Sequence, residues 1–252
     1  MIELRGIKKN FGDKQVLRGI DAVFLPGKMN MIIGSSGSGK TVLMKCIVGL
    51  LTPDEGEVLY NGKDFTKLKY TEKRKLRQEL GMLFQYSALF DSISVEDNVA
   101  FPLRLFTDTP EEKILERVNF CLAKVNLEKV NKLLPDEISG GMKKRVGIAR
   151  AISLNPKYLF CDEPNSGLDP ITSTVIDKLI KEITVDFGTT TIINTHDLNS
   201  VLEHGENIIF LHKGLKEWQG NAAEIRDTNN ESLNEFIYAS EMMREARGRN
   251  FK

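Results

Sequence analysis

The chain reads as an α/β protein, a parallel sheet covered by helices on both faces with a helical subdomain inserted in it. Three observations point there. Short runs rich in β-branched and aliphatic residues alternate with helical stretches along most of the 252 residues, the alternation that builds a parallel sheet. One run, at 29–34, is followed at once by a loop of glycine and serine that opens a helix. The middle of the chain, about 86–155, carries almost only helical pattern.

Each element follows from its own residues. The strands are expected at 1–7 (MIELRGI), 16–25 (VLRGIDAVFL), 29–34 (MNMIIG), 56–62 (GEVLYNG) and 81–85 (GMLFQ), then at 157–162 (KYLFCD), 189–195 (TTTIINT), 206–212 (ENIIFLH) and 215–219 (LKEWQ). All are short and dominated by residues that fit a pleated surface. Helices are expected at 40–51, 71–79, 95–105, 110–125, 141–154, 170–187 and 197–204. In 141–154, for example, Val146 and Ala149, then Ile148 and Ile152, recur at helical spacing. From about Asn221 the chain turns polar, and 231–247 (ESLNEFIYASEMMREAR) sets Leu233, Phe236, Ile237 and Met243 among charges at helical spacing. A helix packing on its own subunit, or one reaching a second copy, would both have that pattern.

Composition narrows the function. A hydrophobic fraction of 41% is ample for a core, and 35 basic residues balance 35 acidic ones. No global field favours nucleic acid or an anionic membrane. The basic run TEKRKLR at 71–77 reads as a solvated helix face. Cys46, Cys121 and Cys161 form no CxxC pair and sit in apolar contexts, so buried reduced thiols are expected rather than a metal or disulfide. The N-terminus, MIELRGIKKN, lacks the apolar core of a signal peptide, and no run nears the roughly 20 apolar residues that span a bilayer. The chain is expected to be soluble and to reach any membrane through a partner.

Three motifs carry chemistry. Gly34-Ser35-Ser36-Gly37-Ser38-Gly39-Lys40-Thr41 fits GxxxxGK[ST], the P-loop, in the strand–loop–helix setting that motif requires. Its glycines let the backbone curl round a phosphate, which successive N–H groups and the helix N-terminus attract. Lys40 would reach the β- and γ-phosphates and the Thr41 hydroxyl would ligate Mg²⁺. In YLFCDE an apolar strand ends in two acids, Asp162 and Glu163. The first suits Mg²⁺ held through water, the second an attacking water to be positioned and polarised. The third motif is ISGGM, in which Ser139 is a natural N-cap and Gly140 and Gly141 occupy the first turn of a helix. Glycine there costs roughly 1 kcal/mol against alanine. Bare backbone at a helix N-terminus is an anion cradle, and a second cradle in one fold is most useful if it closes over another subunit's ATP. A homodimer around ATP is expected.

In their order, the P-loop, ISGGM, YLFCDE, SGLD at 166–169 and NTH at 194–196 resemble the nucleotide-binding subunit of an ABC transporter. The likeness covers about 1–220, leaving 221–252 as a C-terminal helical extension. It implies a P-loop NTPase of the ABC type, with a RecA-like parallel core, N-terminal antiparallel strands and a helical subdomain at about 86–155. It further implies that Phe11 stacks on adenine and that Gln85 touches Mg²⁺ or water and senses the membrane partner. Asp169 would link the two sites, and His196 would contact the γ-phosphate. Where most members carry LSGGQ this chain has ISGGM, and Met142 lacks the amide's hydrogen bonds, so the fifth position is expected to act by packing.

With KKRVGIARAI, GLDPITS, VIDKLI and LFQYSALFDSISVEDNVAFPLR, the chain is similar to ATPase subunits of Mla/MCE-type phospholipid transporters. That implies a membrane permease, an MCE-domain substrate-binding protein, and a place on the cytoplasmic face of the inner membrane. The apolar stretch after Gln85, including Leu89 and Phe90, suits a groove for a short permease helix. A motor for an amino acid, metal or drug is the near rival. A soluble ABC-type ATPase is the far one: chromosome-type members part their two phosphate motifs with coiled coils, whereas Gly34 and Ser139 are only about a hundred residues apart. Nucleic acid is not expected as a partner, given the neutral charge.

Overall fold

The computed structural model describes residues 1–238. Near its start, alternation sets the register. Ile2, Leu4 and Ile7 of β1 (Ile2–Phe11) and Leu17, Ile20, Ala22 and Phe24 of β2 (Lys14–Phe24) are buried, as expected when one face of an antiparallel pair meets the core. β1 also pairs antiparallel with β4 (Glu55–Tyr60), and β5 (Lys63–Asp64) closes the sheet in the order β2-β1-β4-β5.

The second sheet behaves differently. Every residue of β3 (Met29–Ile33), β7 (Tyr158–Asp162) and β8 (Thr190–Thr195) is buried, the mark of strands covered on both faces. With β6 (Leu80–Leu83), β9 (Asn207–His212) and β10 (Leu215–Gly220) they lie in the order β10-β9-β3-β8-β7-β6. All pairs are parallel except β10 with β9. The period of two splits the strands between two cores: Met31, Ile33, Leu159, Cys161 and Ile193 face one, and Ile32, Tyr158, Phe160 and Ile192 the other. The second core also holds α1 (Lys40–Ile47) and the antiparallel sheet.

Between β6 and β7 run α3 (Val95–Phe106), α4 (Glu111–Lys124) and α5 (Gly140–Ile152), packed on one another as the inserted helical layer. α6 (Pro170–Phe187) joins β7 to β8, and α7 (Leu198–His204) joins β8 to β9. α2 (Tyr70–Gln78) buries no residue, in keeping with TEKRKLR as a solvated face. α8 (Glu231–Ile237) buries Leu233 and Ile237 in the larger core, with the Phe236 ring 5.6 Å from that of Phe210. The C-terminal helical pattern was expected to reach 247; Met243 lies outside the described residues. All three cysteines are free and buried, and burial pushes Cys46 and Cys121 up to about 11 and Cys161 to about 12.

The differences from expectation lie mostly at element ends. The first strand extends through Phe11 and the second begins at Lys14, because the hairpin keeps pairing Asn10 with Gln15 and Phe11 with Lys14. The first helix stops at Ile47 rather than 51, where Gly49 adopts a positive φ. A polar residue hides inside the apolar run MNMII. Asn30 is fully buried, and its amide NH₂ faces the carbonyls of Leu25, Lys28 and Thr191. Its oxygen accepts from Leu25 N and from Asn207 Nδ2. It thereby ties the root of β3 to β8 and β9.

Asn30→Val should leave the half-buried Leu25 N and one of the two Asn207 Nδ2 hydrogens, the other being held by Val23 O, without their acceptor. At roughly 1–3 kcal/mol for each orphaned group, we expect a loss of about 2–4 kcal/mol in urea unfolding. A loss under about 0.5 kcal/mol would show that the network is dispensable.

Candidate nucleotide site

Three neighbouring parallel strands, β3, β8 and β7, end side by side, and their C-terminal ends carry the motifs. Beyond β3 the loop 34–39 turns into α1. Lys40 is 7% exposed, and its ammonium folds back to donate to the carbonyls of Gly34 (2.8 Å) and Ser35 (3.2 Å). It lies 3.9 Å from Glu163 Oε1. Burial pushes its pKa below the ordinary lysine range, while Glu163 and Asp162 push it back up. Ser35, Ser36 and Gly37 are exposed, whereas Ser38 is buried and its hydroxyl has no hydrogen-bond partner among the described residues.

At the end of β7, Asp162 Oδ1 accepts from Thr41 Oγ1 (3.3 Å) and from Asn194 Nδ2 (3.0 Å). Glu163 follows with φ 49°, a left-handed conformation that costs a non-glycine residue on the order of 1–2 kcal/mol. Its N–H donates to Asn194 O (2.9 Å), and its Oε2 lies 2.8 Å from His196 Nδ1. The His196 side chain is 67% exposed. Gln85, just past β6, donates from Nε2 to Ser166 Oγ at 3.4 Å.

An open cleft of about 960 Å³ is lined by Phe11, by Ser35–Gly37 and Gly39–Thr41, and by Gln85, Glu163 and His196. Phe11, the last residue of β1, is 48% exposed at the rim. Glu163 and His196 also wall a second cleft of about 1040 Å³, which runs along Ser166, Gly167 and Asp177.

Two expected site segments lie outside the first cleft. Ser139 caps α5, its hydroxyl accepting from Met142 N at 3.3 Å. Asp169 caps α6 and accepts from Ile171 N and Thr172 N at 3.0 Å each; the Thr172 hydroxyl holds its carboxyl below the usual range. The two glycines of ISGGM then part company. A Cβ on Gly141 would sit 2.8 Å from Thr172 Cγ2, so this glycine has a packing reason within its own chain. A Cβ on Gly140 would meet nothing within 4 Å. Met142 packs against the larger core.

Some residues around the site escaped the motif reading. Lys14, Val16 and Lys213 line the first cleft, and no pattern marks them. Lys144, in GMKK, looks like a surface charge, but it is buried and donates to main-chain carbonyls of Gln85 and Glu163. Its spacing of four from Ile148, on the apolar face of α5, was the available signal.

Comparison with known proteins gives the family. The ABC transporter family profile matches residues 17–166. The probable ribonucleotide transport ATP-binding protein mkl of Mycobacterium tuberculosis is 40% identical over 198 residues, 79% of this chain and 55% of that one. This chain thus spans about half the length of its mycobacterial relatives. The intermembrane phospholipid transport system ATP-binding protein MlaF of Haemophilus influenzae is 42% identical over 202 residues, 80% of this chain and 76% of its own. Among solved structures, an ATP-binding cassette in a dimeric post-hydrolysis state bound to ADP and Pi superposes with a TM-score of 0.80 at 30% identity, over 88% of this chain and 99% of that one. The β3–loop–α1 cradle, the acids at the end of β7 and this similarity carry one conclusion: the chain belongs to the ABC transporter family, as its ATPase domain.

Proposed function

We propose that this chain is the ATP-binding and hydrolysing motor subunit of an ABC transporter, working as a dimer beneath a membrane permease. The observation that carries the reading is the array Lys40–Glu163–His196 at the mouth of the loop 34–39. The exposed loop N–H groups and the start of α1 take the phosphates. Lys40, now turned on its own loop's carbonyls, swings to the β- and γ-phosphates. Phe11 offers its exposed ring to adenine. Glu163 takes the proton side of the attacking water, and His196, held against Glu163, stays within reach of the γ-phosphate. Phosphoryl transfer asks mainly for positioning and charge, and these side chains supply both.

The donors also suit Mg²⁺. Among the described residues no cluster of three or more His, Cys, Asp or Glu could hold a metal, but Mg²⁺ needs only one or two carboxylates beside phosphate and water oxygens. Asp162 and Thr41 already face each other, and the Gln85 amide adds a third oxygen. When bound, the ion neutralises charge developing on the phosphates. The dimer follows from what lies outside the cleft: an exposed Ser139 and an open Gly140 at the head of α5 have no role in their own chain's cleft. Placed over a second copy's ATP they complete its site, with Gly141, Met142 and Asp169 alongside. The dimeric form of the solved cassette supports this.

Among the described residues no helix is long and apolar enough to cross a membrane. The permease contact is an apolar groove lined by Met82, Phe84, Phe90, Phe101, Phe106 and Leu154, with the Phe90 and Phe101 rings 4.8 Å apart. It fits a short helix from a permease, and docking there would hold the chain on the cytoplasmic face of the inner membrane. Leu89 instead packs on the core, so of the two residues expected at the docking surface only Phe90 tests it. The relative MlaF, of an intermembrane phospholipid transport system, favours phospholipid as cargo, with an MCE-domain protein as a further partner. The relative mkl, a probable ribonucleotide transport protein, keeps a ribonucleotide reading beside it. The ATPase domain takes 1–220, and 221–252 forms the extension, whose α8 packs on its own body.

Glu163→Gln should bind ATP normally and lose hydrolysis by roughly a hundredfold or more, while Lys40→Ala should weaken nucleotide binding; a Glu163→Gln protein with wild-type turnover would remove the carboxylate from the chemistry. Phe90→Asp should lower co-purification with the permease and spare basal ATP hydrolysis, and an undiminished yield would move the docking site elsewhere. Mixed dimers test the trans arrangement. One chain carries Lys40→Ala, the other Ser139→Arg, and both carry Glu163→Gln to trap ATP. Both lesions then share one site, and one nucleotide should be occluded per dimer. None, with both chains folded and paired, points to sites built within one chain.

A further inference from the structure

α5 meets the segment after β6 at three points, Lys144, Gly147 and Arg150. Near its start Lys144, 5% exposed, gives its ammonium to two main-chain carbonyls, those of Gln85 and of Glu163 (3.3 Å). In its last turn Arg150 donates to Ser87 O (2.5 Å) and Ala88 O (2.7 Å). Ser87 and Ala88 both hold positive φ, 61° and 47°. Between the two cations a Cβ on Gly147 would lie 2.7 Å from Leu83 Cδ1 and 3.4 Å from Ser87 Cβ, so glycine lets the helix lie against β6 and this segment. The clamped stretch faces both ways. Gln85 lines the nucleotide cleft, while Phe84, Ala88 and Phe90 line the apolar groove.

Lys144 is the point where that stretch meets the hydrolytic acid. A buried ammonium is costly unless its donors are used, and burial pulls its pKa below the ordinary lysine range. If α5 needed only packing at this position, a methionine would serve. The ammonium reaches across instead to the carbonyl of Glu163, the residue held in left-handed backbone. Such a residue persists only when its surroundings over-determine it.

We propose that Lys144 is a positioning residue for ATP hydrolysis: by holding the carbonyls of Gln85 and Glu163 together, it sets the Glu163 carboxylate and ties that setting to the segment forming the groove. The proposal rests on Glu163 acting on the attacking water. It assigns Lys144 to the chemical step and not to nucleotide affinity, which separates it from a residue that merely supports the fold.

The test compares Lys144→Met and Lys144→Gln in the full chain, with Glu163→Gln in parallel. Lys144→Met keeps length and apolar packing but removes every donor. Its kcat should fall roughly ten- to a hundredfold, the scale of a misplacement of about 1 Å in an active site. Its KM for ATP and its Kd for a fluorescent ATP analogue should stay within about twofold of wild type. Lys144→Gln, whose amide still donates, should recover most of the loss. A Lys144→Met protein with wild-type kcat overturns the proposal, as does one whose KM rises while kcat holds, or a Lys144→Gln protein as slow as Lys144→Met. If Lys144→Met does not fold, Lys144→Ser replaces it, too short to reach both carbonyls; failure of both to fold, beside a fully active Lys144→Gln, makes the role structural and overturns the proposal. The parallel variant separates the two claims. Glu163→Gln hydrolysing at the wild-type rate removes the underlying reading, whereas an inactive Glu163→Gln beside a fully active Lys144→Met removes Lys144 alone.

Discussion

Around the Lys40 ammonium, three strand ends are drawn to one point, and the rest of the site is arranged about it. The ammonium holds the loop after β3 through the carbonyls of Gly34 and Ser35 and faces the carboxylate at the end of β7. That is possible only because β3, β8 and β7 are adjacent and parallel, so their C-terminal ends open on the same side. Ligand sites of open α/β sheets gather there for this geometric reason. An antiparallel neighbour would send one of these motifs to the far side of the sheet. The buried network about Asn30 secures the other end of the same strands, joining β3 to β8 and β9.

Charge in this molecule is used locally. Basic and acidic residues balance over the chain, and α2 fully buries none of its cations, although Lys73 and Arg77 lie over the Phe65 ring. Lys40, Lys144 and Arg150 each give hydrogen bonds to two main-chain carbonyls at a junction between motifs. A cation bound to carbonyls leaves the carboxylates free for substrate and water.

The two caps at Ser139 and Asp169 serve the fold directly, and in the proposed dimer they would also meet a neighbour. Each closes the N-terminus of its own helix, and each stands outside the cleft of its own chain. Gly141 is accounted for by Thr172 in the same subunit, whereas Gly140 opens on empty space. The pair that looks redundant in the sequence divides into a packing glycine and one that faces open space.

Much of this was readable from the chain alone. The alternation of strand and helix, the loop GSSGSGKT, the acids ending YLFCDE and the cap in ISGGM are local patterns, because phosphate cradles, strand ends and helix caps are made by neighbours in sequence. The paired acids and His196 could be named singly, but their meeting at 2.8 Å depends on β7 and β8 lying side by side. Only the tertiary structure decided what the two lysines of GMKK do, since an ammonium on a helix is solvated or buried according to what packs against it. It likewise decided that Asn30 lies inside an apolar run, that Leu89 faces the core while Phe90 faces the groove, and that Gly141 yields to Thr172. In each case the deciding partner lies far along the chain, and a sequence records the residue but not the neighbour that folding brings to it.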